Sequence, residues 1–185
     1  MKGASAAEHS IGRLKGFHGQ MGMFVRALAY MMSHGADGLR QVAEDAVLSA
    51  NYLRARLESD LSLSFPGPCM HEVLFDDRFL KDTGVTTLDF AKALIDEGYH
   101  PMTMYFPLVV HGALLIEPTE TESKATLDQF AAVLKALAAE ARSGDAARFH
   151  AAPRLSPRRR LDETGAARRP VLRWRREAAQ LQAAE

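Results

Sequence analysis

The sequence predicts an α+β fold, in which a small β-sheet is covered by helices. Apolar residues with a helical spacing alternate along the chain with short apolar runs, and these runs end at proline, glycine or aspartate. The chain has 185 residues, of which 47% are hydrophobic, so it is long enough for one domain with a sizeable core. The expected order is helix, helix, strand, helix, strand, strand, helix.

Two helices are predicted before the first strand. Residues 20–34 carry apolar side chains on most sides, at spacings of three and four, which predicts a mostly buried helix that ends at Gly35. Residues 36–59 combine one apolar stripe with a charged opposite side, which is typical of an amphipathic helix.

A strand and a helix follow. Residues 69–75 form an apolar-rich run after Pro68, and this pattern predicts a strand. Thr86 can cap the next helix through its side-chain oxygen, and Gly98 can end that helix.

Two further strands and a last helix complete the predicted domain. Residues 102–105 and 114–117 are the strand segments, and an amphipathic helix follows through residue 142. Thr121 is the predicted cap of this helix, and the Glu120 carboxylate is expected to face the positive end of the helix dipole.

The formal net charge of zero hides two unlike parts. Residues 1–145 contain 13 basic and 19 acidic side chains, whereas residues 146–185 contain ten arginines and four acidic residues. With three prolines and few large apolar residues, residues 143–185 are predicted to form an extended or disordered tail. Such a tail can bind nucleic acid or an acidic protein surface. The favoured interpretation is that it lies on the acidic body of the chain or on a partner subunit.

Several functions are disfavoured by what the sequence lacks. It has no apolar run of about 18 residues, which argues against a membrane span, and no apolar signal region near its start. The lone Cys69 fits a reducing cytoplasm and is expected to be a small hydrophobic residue on its strand. No nucleotide-binding fingerprint, C-x-x-C or H-E-x-x-H motif occurs, so no metal ligand is predicted.

The adjacent residues His71 and Glu72 are the first candidates for chemistry. Neighbouring residues of a strand point to opposite faces, so the pair is not expected to act on one substrate atom. Either one of them faces a cleft, or one lies in the core and the other in water.

A second set of candidates lies between the later strands. His100, Thr103 and Tyr105 belong to a short extended segment between two prolines, which can line a ligand pocket or form a core strand with a rigid edge. Glu117 ends a buried strand, where its carboxylate must find a partner or cap the next helix.

Five stretches of the sequence carry a resemblance to a known family: GRLKGFHGQ, VRALAYMMSHGADGLRQVAEDAVLSANYL, PCMHEVLFDD, GVTTLDFAKALIDEGYHPMTMYFPLVVHGALLIEPTETES and RRLDETGAARRPVLRW. They resemble the P-protein of the glycine cleavage system. The likeness is greatest to subunit 2 of the two-subunit bacterial glycine dehydrogenase (decarboxylating), and it extends over roughly residues 10–176. Ser49 departs from the family, which commonly has asparagine there.

The resemblance implies the fold of a fold-type-I (aspartate-aminotransferase-like) pyridoxal-phosphate enzyme, of which this chain matches the small C-terminal α+β domain. It divides the chain into an N-terminal arm and linking helix (1–35), the domain itself (36–142) and an Arg-rich extended tail (143–185). The family's cofactor lysine lies upstream in a His-Lys stretch that does not occur here. No catalytic or cofactor-binding residue is therefore expected, and the chain is expected to be a fragment, inactive alone, from a truncated or split reading frame.

The resemblance also implies a function in the cytoplasm. The family decarboxylates glycine with pyridoxal phosphate and transfers the aminomethyl group to the lipoyl group of H-protein. Subunit 1, lipoylated H-protein and glycine are the expected partners, in an oligomer without nucleic acid or membrane. The alternative is a non-catalytic module that docks the partner subunit or H-protein. His71, Glu72, His100, Thr103, Tyr105 and Glu117 are the expected substrate-pocket candidates.

Overall fold

The computed structural model describes residue 16 and residues 18–173. The chain divides into two compact units, with the boundary between residues 44 and 45. Among the described residues, no helix is long and apolar enough to cross a membrane.

The first helix, α1 (Met21–Leu57), begins in the first unit. Gly35 interrupts it with a non-helical backbone (φ 64°, ψ −174°), at the residue where the sequence predicts a helix end. Burial of the preceding segment was predicted wrongly, since Phe24 and Leu28 are 56% and 53% exposed. A helix that is apolar on most sides needs neighbours on most sides, and the described part of the first unit contains no second element.

The second unit contains a four-stranded antiparallel sheet, which confirms the α+β prediction. The spatial order is β1-β2-β4-β3. Its strands are β1 (Ser62–Leu63), β2 (Val73–Asp76), β3 (Thr103–Met104) and β4 (Leu114–Ile116). β1 was not predicted, because two residues are too few to show a period. β2 begins at Val73 rather than at residue 69, and a 3₁₀ helix (Asp77–Leu80) follows it.

The two main helices of this unit are α2 (Thr87–Asp96) and α3 (Lys124–Ser143). Thr86 caps α2 as predicted: its side chain accepts a hydrogen bond from the Asp89 amide, and the Asp89 carboxylate accepts one from the Thr86 amide. The cap of α3 is Ser123 instead of the predicted Thr121, because the Ser123 hydroxyl accepts the Thr126 amide at 3.1 Å.

One face of the sheet carries the core. In β2, Val73 and Phe75 are fully buried, and they lie opposite the buried Ile116 and Leu114 of β4. The side chains between them are only half-buried, so the strands alternate as a one-sided sheet requires. The core is completed by buried residues of the helices, among them Leu53 and Leu57 of α1, Phe90 and Leu94 of α2, and Leu134 and Leu137 of α3.

The tail, which is described through residue 173, packs on this unit through residues 146–160, in agreement with the interpretation drawn from its charge. It also forms two short helices, α4 (Ala146–Ala151) and α5 (Glu163–Arg168), which the sequence did not predict. Phe149 is fully buried and stacks on Phe90 with ring centroids 6.5 Å apart. Arg148 pairs with Glu97 and Glu140 of the body. One large aromatic residue and complementary charges therefore hold a segment whose composition resembles that of a disordered chain.

Candidate functional site

A cavity of about 340 Å³ lies in the second unit. Leu53 of α1, Ile116 of β4 and Phe130 of α3 form its apolar part, whereas His100 and Glu117 are among its polar residues. The described residues that line it are Leu53, Tyr99, His100, Pro101, Met102, Ile116, Glu117, Pro118, Glu122, Thr126, Leu127 and Phe130. An apolar cavity with a few polar groups is the usual form of a small-molecule site.

Residues 99–102 reach the cavity because a turn after α2 directs them there. Gly98 adopts φ 85°, a conformation that favours glycine, and the Tyr99 amide donates to the Leu94 carbonyl. The Tyr99 ring packs against Phe130 with centroids 5.2 Å apart. His100 is thereby held at the edge of the cavity.

His71, Glu72 and Glu117 form a cluster beside the cavity. One potential ligand atom from each lies within 4.8 Å of the others, and His71 Nε2 is 4.0 Å from Glu117 Oε1. The expectation that His71 and Glu72 point to opposite faces of a strand is wrong, because both residues precede β2. The register pairs Val73 with Ile116, so the residue before Val73 lies opposite the residue after Ile116.

Asn51 fixes the chain that leads into this cluster. Its side-chain amide donates to the Cys69 carbonyl at 2.7 Å and its side-chain oxygen accepts the Cys69 amide at 3.0 Å. The Cys69 side chain packs against the core, and burial raises the pKa of its thiol. Cys69 thus behaves as the predicted small hydrophobic residue, although it precedes the strand. Sequence analysis missed Asn51, which carries no motif and pairs 18 residues away.

Thr103 and Tyr105 do not line the cavity. Thr103 is exposed on the edge strand β3. Tyr105 has φ 56°, and its hydroxyl accepts a hydrogen bond from the Leu88 amide at 3.1 Å. The structure therefore divides the predicted segment: its first part reaches the cavity, and its second part supports the start of α2.

Arg78, the only arginine between residues 58 and 141, is also away from the cavity. Its Nε lies 2.7 Å from Asp76 Oδ1, and its Nη2 donates to the Leu63 carbonyl. Burial would raise the pKa of Asp76, but the hydrogen bonds from Arg78 outweigh it and the pKa is lowered. In the part of the chain that the structure describes, no arginine or lysine lines the cavity.

The described residues do not fit pyridoxal phosphate. The cavity offers no lysine for the cofactor aldehyde, and the carboxylates of Glu117 and Glu122 would repel a phosphate group. Lys124 lines a second cavity of about 300 Å³, where its Nζ lies 2.6 Å from Asp128. The Asp128 carboxylate raises the pKa of Lys124, whereas a lysine that attacks a carbonyl must be neutral.

Comparison with known proteins gives one consistent result. Residues 42–154 match the family described as "Glycine dehydrogenase, C-terminal domain". Three curated relatives carry the description "Probable glycine dehydrogenase (decarboxylating) subunit 2". The protein from Caulobacter vibrioides is 68% identical over 99% of this chain, that from Kosmotoga olearia 49% over 90%, and that from Thermotoga maritima 46% over 91%. The chain spans about a third of the length of these relatives.

Proposed function

Because this chain belongs to the family of the glycine dehydrogenase C-terminal domain, we propose that it works as the C-terminal domain of the glycine cleavage P-protein, in the cytoplasm. The whole enzyme would decarboxylate glycine with pyridoxal phosphate and transfer the aminomethyl group to the lipoyl group of H-protein. The observation that carries the proposal is the extent of the likeness: 68% identity with the Caulobacter protein extends over 99% of the chain.

The part assigned to this chain is to shape a substrate pocket. Pyridoxal phosphate would be held by another part of the enzyme, since the described residues do not fit it. The cavity supplies an apolar wall that excludes water, and His100 supplies a hydrogen-bonding group at its edge. His71, Glu72 and Glu117 lie beside this wall, where they can help to orient a small polar substrate.

The described lining of the cavity, which contains no lysine or arginine, is compatible with a decarboxylase. A strong interaction with the substrate carboxylate stabilises the ground state and is lost as carbon dioxide leaves, so it adds little to the rate. Arg78 is engaged by Asp76 and Leu63 and provides no such interaction in the cavity. We therefore propose that the domain contributes His100 to the substrate pocket as a hydrogen-bonding group, and that it contributes no arginine that binds the substrate carboxylate.

A chimeric enzyme tests this function. The chain would be joined to the remaining two-thirds of the Caulobacter relative and produced with its subunit 1, and release of labelled carbon dioxide from glycine would be measured with H-protein. We expect His100→Ala and His71→Ala to lower kcat/KM by about tenfold or more. Thr103→Ala is the control, because Thr103 lies outside both the cavity lining and the cluster of His71, Glu72 and Glu117. Unchanged decarboxylation in both histidine variants would refute the assigned role.

A docking role is the second proposal, and a different surface favours it. Phe106, Leu108 and Val109 form an exposed apolar loop, with Leu108 88% exposed. Hydrogen bonds from the Tyr105 amide to Ala113 and from the Val110 amide to Pro107 hold this loop in shape. Calorimetry of the chain with subunit 1 and with H-protein distinguishes the roles. A pure docking module would lose affinity in Leu108→Ser while the histidine variants of the chimera kept full activity.

A further inference from the structure

The cluster of His71, Glu72 and Glu117 combines one imidazole with two carboxylates at one end of the sheet. Glu72 directly precedes Val73 of β2 and Glu117 directly follows Ile116 of β4, and Val73 and Ile116 are paired in the sheet. The two carboxylates therefore come close to each other, and like charges at short distance repel. Among the described residues, neither carboxylate forms an ion pair with a lysine or arginine, and His71 is the ion-pair partner of Glu117.

We propose that these three residues form a binding site for a divalent first-row transition metal, with Zn²⁺ as the reference ion. A metal would neutralise the facing carboxylates, which the imidazole does only when it is protonated. One imidazole and two carboxylates are a suitable donor set for such an ion, whereas Mg²⁺ and Ca²⁺ prefer oxygen donors alone.

The observed distances suit a site that closes on its ion. Ligand atoms around a four-coordinate Zn²⁺ lie about 3.3 Å apart, given bonds of about 2.0–2.1 Å. The 4.0 Å between His71 Nε2 and Glu117 Oε1 is too long for a hydrogen bond, so no existing bond has to break. The side chains of His71 and Glu117 are 53% and 56% exposed, so both can rotate inward without disturbing the core.

The rigid surroundings limit the entropy lost on binding. The Asn51 side chain forms hydrogen bonds with both the carbonyl and the amide of Cys69, two residues before His71. Glu117 follows a strand that is paired on both edges, with β2 and with β3. Three protein donors would leave the fourth position of a tetrahedral ion open to water. Since Glu117 also lines the 340 Å³ cavity, that position would lie beside it.

Titration calorimetry of the full chain with Zn²⁺ alone tests the site. We expect one site whose affinity falls at least tenfold in His71→Ala and in Glu117→Gln. The matched control is His111→Ala. His111 is an exposed histidine that pairs with the single carboxylate of Asp77 at 2.9 Å, and its loss should leave the affinity unchanged.

Two results would overturn the proposal: equal Zn²⁺ affinity in the wild type and both cluster variants, or equal affinity for Zn²⁺ and Mg²⁺. Circular dichroism of each variant shows whether it is folded. Glu72→Gln serves as a third cluster variant and should also weaken binding. The measurement is independent of the proposed enzyme function, because it uses this chain alone and no glycine turnover.

Discussion

The Nη2 atom of Arg160 lies 2.7 Å from Oδ1 of Asp89, and this ion pair ties the tail to the first turn of α2. The same guanidinium group donates to the carbonyls of Ala152 and Phe149 within the tail. Asp89 is also the capping-box residue of α2, where it accepts the amide and hydroxyl of Thr86. Arg160 therefore links helix capping to the docking of the tail.

Arg160→Met should destabilise the second unit by about 1–3 kcal/mol, the usual value of a hydrogen bond to a charged group. The variant loses the ion pair and leaves two carbonyls and a buried carboxylate with fewer donors. Urea unfolding followed by circular dichroism measures the change. Arg158→Met is the matched control, because Arg158 is exposed in the same tail and forms no hydrogen bond or ion pair with another described residue. Equal stability of the two variants would contradict the prediction.

The Asp89 pair should also make stability depend on pH. Burial would raise the pKa of Asp89, but hydrogen bonds from Thr86 and Arg160 outweigh it and lower the pKa. A carboxyl whose pKa is lower in the folded state adds stability above its unfolded pKa of about 3.9, and that stability disappears as pH falls through the folded value. The difference between wild type and Asp89→Asn should therefore be largest near pH 7 and shrink below about pH 4. A stability difference between the two proteins that stays constant from pH 7 to pH 3 would contradict this prediction.

Phe149→Ala should lower the free energy of unfolding by about 3–5 kcal/mol, which is the usual loss when a large aromatic side chain is removed from a core. Phe149 is fully buried and stacks on Phe90, although it belongs to the Arg-rich tail. Thermal and urea unfolding would measure the loss. Leu155→Ala is the control from the same tail, because Leu155 is 78% exposed and its truncation should change little. Similar stability of the two variants would show that the tail is not part of the core.

Sequence periodicity predicted those parts of the fold that are long enough to show a period. α2, α3 and the amphipathic part of α1 are such elements, and their apolar positions form the core. β1 has two residues and α4 has six, so neither shows a pattern that can be told from chance. The burial of Phe149 was not predicted, because a single large apolar residue in a short segment shows no period.

The substrate-pocket role of the candidate residues stays a prediction, and only their placement in the fold can be compared with the sequence. His100 and Glu117 do line the cavity, because the turn at Gly98 and the end of β4 can both be located from sequence. Tyr105 was expected in the pocket, but its backbone has a positive φ. The residue pattern of a strand gives no sign of such a conformation. The meeting of His71 and Glu72 with Glu117 depends on where β2 begins and on its register with β4. Neither property can be obtained from the composition of one strand.

The first unit leads to a prediction about association. Met32 is 76% exposed, and several other large apolar side chains between Met21 and Met31 are also exposed. A contiguous apolar surface of this kind usually contacts another protein surface. We expect the chain alone to form oligomers whose mass rises with concentration, measured by size-exclusion chromatography with light scattering.

The double variant Leu28→Glu/Met32→Glu should reduce this association, since glutamate keeps the helix propensity and removes apolar surface. Leu48→Glu is the control, as an exposed apolar residue of α1 in the second unit. A monomeric wild type at every concentration would refute the prediction, and equal effects of the two substitutions would place the association elsewhere.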